Sequence, residues 1–109
     1  MQGRLLIKHA VGGRTFVDSA KDSTPFEVKE FSDGAGWAFE VRLPAGESAD
    51  EIVKWRNELN VFVFEEYRQP VVKIWYYADG GSVDYDEATG VLRFRAASKI
   101  EYVPDEYTW

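Results

Sequence analysis

The residues that most often carry out acid–base or nucleophilic chemistry are scarce in this chain. It contains no cysteine, so it has neither a thiolate nucleophile nor a thiolate metal site. The only histidine, His9, lies in a β-like run, with no motif around it that indicates a base or a metal ligand. We therefore predict no catalytic residue, no bound metal and no cofactor, and a structural or surface role for His9.

An acidic group between positions 79 and 87 comes nearest to a catalytic or calcium-binding cluster. Its spacing does not match a calcium-binding loop. Glycoside hydrolysis would need a carboxyl group whose pKa is raised in an apolar pocket, which exposed hairpin residues rarely provide. We therefore expect no catalysis by the members of this group, which are Asp79, Asp84, Asp86 and Glu87.

The segment from residue 71 to residue 96 has the strongest local pattern. Asp79-Gly80 is typical of a type I′ hairpin turn, and Glu87–Gly90 of a four-residue loop that ends in a left-handed glycine. These turns predict a three-stranded meander with Asp84 opposite Arg93. One face of the meander is apolar and comprises Val72, Ile74, Tyr76, Val83, Tyr85, Leu92 and Phe94. The other face carries Lys73, Trp75, Tyr77, Asp84, Asp86, Arg93 and Arg95.

This second face has the composition of a protein-binding surface. Trp, Tyr and Arg are enriched at interfaces because they combine a large contact area with directional polar groups. We predict a non-catalytic protein-binding domain, acting as an inhibitor, an immunity or antagonist protein, or an adaptor. Its predicted partner-binding residues are Trp75, Tyr77, Asp84, Arg93 and Arg95. If a helix or a second sheet covers this face, the aromatic tail from Tyr107 to Trp109 is the next candidate.

Two other classes of function fit the same residues. A structural subunit of a larger assembly, such as a virus particle, would use a small β-rich domain to bind copies of itself or its neighbours. A carbohydrate-binding module would stack a sugar ring on Trp75 and Tyr77, although the sequence begins without a secretion signal. Mimicry of nucleic acid is disfavoured because the charges of both signs are mixed.

A helix is predicted only between residues 44 and 64, where the hydrophobic period changes. Ser48-Ala49-Asp50-Glu51 fits a capping box, which predicts that the helix begins there. Four apolar residues at spacings of three, three and four then form one stripe: Ala49, Ile52, Trp55 and Leu59. We predict one helix near residues 48–59 with Trp55 packed in the core.

The remaining patterns predict strands. Arg4–Ala10 and Arg14–Asp18 form a first hairpin, and a polar loop over Ser19–Thr24 follows it. Val61–Phe64 has no polar position, which predicts a central strand, and Lys99–Val103 predicts a last strand.

A second predicted hairpin joins residues 26–31 to residues 37–43 through a four-residue loop. This loop length places Glu27 opposite Arg42 and Lys29 opposite Glu40, so that the apolar pairs and the opposite charges agree.

Together these elements predict an α+β fold, with about eight antiparallel strands in one or two sheets around a single helix. The 109 residues, 45% of them hydrophobic, suit a single globular domain over residues 1–109. No segment approaches bilayer length, so we expect a soluble cytoplasmic protein. The formal net charge of -6 disfavours direct nucleic-acid binding, which relies on concentrated Lys and Arg.

Overall fold

The computed structural model describes residues 3–32 and 34–103. They form seven strands in one antiparallel sheet, with two short helices. The order of strands across the sheet is β2-β1-β5-β6-β7-β4-β3. The elements are β1 (Arg4–His9), β2 (Thr15–Asp18), α1 (Ser19–Asp22), β3 (Phe26–Glu30), β4 (Trp37–Arg42), α2 (Glu47–Lys54), β5 (Leu59–Glu65), β6 (Val72–Asp86) and β7 (Val91–Tyr102).

The predicted mixture of antiparallel strands and helix is therefore confirmed in outline. Among the described residues, about eight strands and a possible second sheet are not confirmed, and a second helix stands beside the single one predicted. The extra helix, α1, occupies the segment predicted as a polar loop. Asp18 begins it, because its carboxylate accepts hydrogen bonds from the backbone N–H groups of Ala20 and Lys21 at 3.1 and 3.4 Å.

The strand count falls because β6 and β7 are longer than predicted. Asp79-Gly80 is not a hairpin turn: β6 continues through it, and the pairing with β7 is irregular between Asp79 and Asp84. Gly80 does not adopt the positive φ that a type I′ turn requires. The predicted last strand over Lys99–Val103 is the end of β7, which runs from residue 91 without a break.

The loop between β6 and β7 forms as predicted. Asp84 lies opposite Arg93, and Asp86 lies opposite Val91. The Asp86 carboxylate accepts a hydrogen bond from the Ala88 N–H at 2.9 Å, and Gly90 is left-handed with φ of 69°. The predicted apolar face of this region is also correct, because the irregular segment shifts the alternation along β6 by one residue, so that both Tyr76 and Val83 face the core. Its members are buried or pack against the core.

The second hairpin has a different register from the predicted one. Glu27 lies opposite Glu40, not Arg42, and Lys29 lies opposite Ala38, not Glu40. The Phe31 N–H donates to the carbonyl oxygen of Gly36 at 2.8 Å, so the connection begins one residue earlier than the predicted loop over residues 33–36. The shift is two residues, so every side chain keeps its face while the predicted charge pairs are lost.

Helix α2 begins earlier and ends earlier than predicted. Its first hydrogen bond runs from the Asp50 N–H to the Gly46 carbonyl oxygen at 3.0 Å, which makes Gly46 the N-cap and excludes the predicted Ser48 capping box. Ala49 and Ile52 are buried as predicted. Leu59 is not helical, because it is the first residue of β5.

Trp55 follows the last turn of α2 and is only partly buried, so its predicted place in the core is correct only in part. Its indole N–H donates to Glu51 Oε2 at 2.8 Å, and its ring stacks on His9 with the ring centres 4.9 Å apart. His9 in turn lies 3.0 Å from Glu58 Oε1, through Nε2. His9 therefore joins β1 to the segment between α2 and β5.

The two faces of the sheet have different surroundings. The inner face carries the core side chains, among them Phe39, Val61 and Leu92, and α2 packs on it through Ala49 and Ile52. Strand β5 is central, between β1 and β6, as predicted. On the opposite, outer face, Tyr77, Ile100 and Tyr102 are exposed, whereas Phe64 and Lys73 are buried. Neither described helix is long and apolar enough to cross a membrane.

Candidate functional site

An apolar row crosses four adjacent strands on the outer face. Directly opposed residues supply it: Leu6 on β1 faces Phe62 on β5, which faces Trp75 on β6, which faces Ile100 on β7. Directly opposed side chains on one face are close enough to pack against each other. We call this row, together with Tyr77 and Tyr102, the aromatic patch.

Three aromatic rings of the patch pack against one another, and three of its side chains are exposed to solvent. The ring centre of Trp75 lies 5.8 Å from that of Phe62 and 5.2 Å from that of Tyr77. Tyr77, Ile100 and Tyr102 are 42%, 45% and 39% exposed. The patch is thus a preformed surface whose side chains are restrained by their neighbours.

Lys73 lies beside the aromatic patch and is nearly buried, with 7% of its surface exposed. It pairs across the sheet with Phe64 on one side and Tyr102 on the other. Its ammonium nitrogen is 4.6 Å from the Phe62 ring centre and 5.5 Å from those of Phe64 and Tyr102. At these distances the ring faces attract the cation, so Lys73 ties the aromatic rings of β5 and β7 together.

A charged region continues the same face beyond Tyr77. Arg93 lies opposite Asp84 on β6 and opposite Glu40 on β4, and its Nε is 3.6 Å from Glu40 Oε2. The predicted Asp84–Arg93 register is therefore correct, but the ion pair forms with Glu40. Arg95 lies opposite Asp79. A shallow hollow of about 380 Å³ lies in this region and is lined by Ala38, Phe39, Glu40, Ser82, Asp84, Arg93, Phe94 and Arg95.

One further ion pair borders the aromatic patch at the β1–β2 edge. Arg4 donates from Nε and Nη2 to the two carboxylate oxygens of Asp18, at 3.0 and 2.7 Å. The Arg4 hydrogen bonds hold the pKa of Asp18 below its usual value, against the opposing effect of burial. This pair is a fixed polar boundary to the apolar row.

All five residues predicted to bind a partner thus share the outer face, in two groups. Trp75 and Tyr77 belong to the aromatic patch, and Asp84, Arg93 and Arg95 to the charged region. The irregular pairing near residue 97 of β7 separates the groups. The remaining members of the patch were not predicted as partner-binding residues: Leu6, Phe62, Ile100 and Tyr102. Alternation in Val61–Phe64 places Phe62 on the opposite face from Val61, but its neighbour across the sheet depends on strand order.

Among residues 3–32 and 34–103, no group of three or more histidine, aspartate or glutamate side chains is placed to hold a metal ion. Comparison of the chain with protein-family models, with curated proteins and with solved structures finds no match.

Proposed function

We propose that this protein is a protein-binding domain, acting as an inhibitor, antagonist or adaptor through the outer face of its sheet. Trp75 and Tyr77 are the central anchors, and Asp84, Arg93 and Arg95 supply the polar part of the contact. The observation that carries the proposal is the continuous apolar row from Leu6 to Ile100 on the outer face, together with the exposure of Tyr77, Ile100 and Tyr102 beside it.

The solvent face of an antiparallel sheet usually alternates to polar residues, because exposed apolar surface favours association. Here the outward positions at the centre of the sheet are instead Phe62, Trp75 and Ile100. Their neighbours restrain them before binding, so less side-chain entropy is lost in a complex. A polar margin beside an aromatic centre is also the usual arrangement of an interface.

The charge of the chain favours a partner of different sequence over a second copy. The formal net charge is -6, so two copies repel each other at long range. We therefore expect the partner to present an apolar centre within a neutral or basic surface. Self-association, as in a structural subunit, and binding of a sugar to Trp75 and Tyr77 are the competing outcomes.

The test begins with immobilised protein and an extract of the source organism. Proteins retained by the unmodified domain and lost with Trp75→Ala are identified, purified and titrated calorimetrically against both forms. We expect Trp75→Ala and Tyr77→Ala each to raise the dissociation constant by at least about fivefold, with little change in melting temperature. The matched control is Tyr67→Ala, since Tyr67 is 46% exposed and lies away from the aromatic patch.

Three results contradict the proposal. The first is that every retained protein binds all the variants equally. The second is that the variants lose binding only in proportion to lost thermal stability, which makes Trp75 a structural residue. The third is sedimentation equilibrium showing a stable oligomer that Trp75→Ala dissociates, which would favour the structural-subunit function.

A further inference from the structure

A cavity of about 430 Å³ opens on the inner face of the sheet, on the opposite side from the aromatic patch. Side chains from β3, β4, β5, β6 and β7 line it, which requires the sheet to curve around it. Its volume falls in the range of small-molecule sites, roughly 300–1,000 Å³. Its lining is Val28, Glu30, Trp37, Val63, Glu65, Tyr67, Arg68, Ile74, Tyr76, Lys99 and Glu101.

Tyr76 lines this cavity, and its hydroxyl has no hydrogen-bond partner among the described residues. The residue is 5% exposed, and its ring is held edge-on by Trp37 and Phe39, at 5.6 and 4.8 Å between ring centres. No fully buried side-chain oxygen or nitrogen of the described chain lacks a partner, so the Tyr76 oxygen is accessible from the cavity. A restrained, unpaired donor in a concave site is a feature of ligand pockets.

Five other polar groups of the cavity are held in place by contacts with one another. Glu65 accepts hydrogen bonds from Tyr67 and Arg68, both at 2.8 Å. Burial raises the pKa of Glu65, but these two bonds, together with the charges of Arg68 and Lys99, outweigh burial and hold the pKa below its usual value. The Lys99 ammonium nitrogen lies 2.6 Å from Glu101 Oε2 and 4.8 Å from the Trp37 ring centre. Preorganised groups of this kind need little reordering when a ligand binds.

The balance of charge and hydrogen-bonding groups indicates the class of ligand. Three glutamates and two cations line the cavity, a difference of one charge, so neither a strongly anionic nor a strongly cationic molecule is favoured. Carboxylates accept hydrogen bonds, whereas Tyr76, Arg68 and Lys99 donate them. A molecule with many hydroxyl groups uses both kinds at once, and its C–H faces pack on Trp37.

We infer that this inner cavity binds a neutral, polyhydroxylated small molecule of the size of a mono- or disaccharide. The Tyr76 hydroxyl donates to the ligand, Glu30 accepts from it, and Trp37 supplies an apolar contact. This site shares no residue with the aromatic patch. Ligand binding in the cavity can therefore be tested independently of the protein-binding function proposed above.

The experiment is an NMR titration of the isotopically labelled protein with glucose, galactose, mannose, N-acetylglucosamine, maltose and cellobiose, followed at backbone amides and at the Trp37 indole. Spermidine and citrate serve as charged probes. We expect at least one saccharide to shift the signals of Trp37, Glu30 and Lys99 saturably. Tyr76→Phe removes only the hydroxyl and should weaken that binding at least about fivefold, while Tyr77→Phe on the outer face leaves it unchanged.

Because Tyr76→Phe removes an unpaired hydroxyl and keeps the ring, we expect it to fold with an unchanged melting temperature. The inference is overturned if no saccharide shifts these signals, or if only spermidine or citrate does so. It is equally overturned if Tyr76→Phe binds as well as the unmodified protein. A saccharide that shifts Trp75 and Tyr77 instead would overturn it in favour of sugar binding on the outer face.

Discussion

The Lys73 ammonium nitrogen lies 4.6 Å from the centre of the Phe62 ring on the neighbouring strand, with only 7% of Lys73 exposed. A buried ammonium is costly unless favourable contacts replace its hydration. The faces of Phe62, Phe64 and Tyr102 are among those contacts here. One side chain thus links the three strands that carry most of the aromatic patch.

Removing the Lys73 side chain should therefore destabilise the sheet. We expect Lys73→Ala to lower the free energy of unfolding by about 2–4 kcal/mol, because it removes both the cation–ring attraction and the buried aliphatic stem. Lys73→Met keeps most of the volume and removes the cost of burying a charge, so it should differ from the unmodified protein by less than about 1 kcal/mol. Urea unfolding of both variants measures the two values.

The two variants separate packing from charge. If Lys73→Met proves as destabilising as Lys73→Ala, the ammonium itself holds the strands together. A loss below about 1 kcal/mol in Lys73→Ala would show that the side chain is solvated in solution, and the link between the strands would then have to be abandoned.

A second prediction concerns Gly80, which is part of strand β6 and not of a turn. A Cβ atom at Gly80 would lie 2.7 Å from the carbonyl oxygen of Arg56 and would also collide with Asn57. The backbone cannot yield easily, so we expect Gly80→Ala to cost about 1–3 kcal/mol in urea unfolding. Gly81→Ala is the control, since its Cβ would have one contact, at 3.4 Å from Asp79 Oδ1. Equal stability of the two variants would contradict this close approach.

Gly80 also illustrates which parts of the fold are predictable from the sequence. Alternation assigns each residue to a face through local geometry, and it placed Trp75, Tyr77, Arg93 and Arg95 correctly. It does not distinguish a glycine that turns the chain from one that lets another segment approach, because that difference depends on a contact with residues 56 and 57. The predicted hairpin turn at Asp79-Gly80 is wrong for this reason, although the predicted faces of the meander are correct.

The candidate site on the outer face was likewise predictable only in part. Trp75 and Tyr77 stand out within one segment, so the outer face was identified from local pattern alone. Their neighbours Phe62 and Ile100 come from β5 and from the end of β7, and only the order of strands brings them together. The inner cavity depends on the curvature of five strands, a property that hydrophobic alternation does not encode.

A third prediction compares two aromatic residues that differ in burial, Phe39 and Trp55. Phe39 is 1% exposed and stacks on Phe94 with ring centres 4.6 Å apart. Trp55 is only partly buried. We expect Phe39→Ala to cost about 3–5 kcal/mol, and Trp55→Ala about 1–2 kcal/mol because less of its surface is desolvated. Thermal and urea unfolding check the order, and a larger loss for Trp55 than for Phe39 would contradict the packing described.

The last prediction is a pH dependence at the β1–β2 edge. The Arg4 hydrogen bonds lower the pKa of Asp18 in the folded protein relative to about 3.9 in the unfolded chain. A lowered folded pKa means that the unfolded chain binds the proton first, so the stabilisation is complete above the unfolded pKa and is lost as the pH falls through the folded pKa. Asp18→Asn removes the charge and keeps an oxygen for the start of α1.

We expect Asp18→Asn to be less stable than the unmodified protein by about 1–3 kcal/mol at pH 7, the value of charge-assisted hydrogen bonds. That difference should shrink below pH 4 as Asp18 itself becomes protonated. Urea unfolding at pH 7, 5, 3 and 2 gives the difference at each pH, and subtraction removes the contributions of other carboxylates. Arg4→Met is the matched control, because without the guanidinium the Asp18→Asn change should have little effect at any pH. A difference that stays constant from pH 7 to pH 2 would exclude the charged pair as its cause.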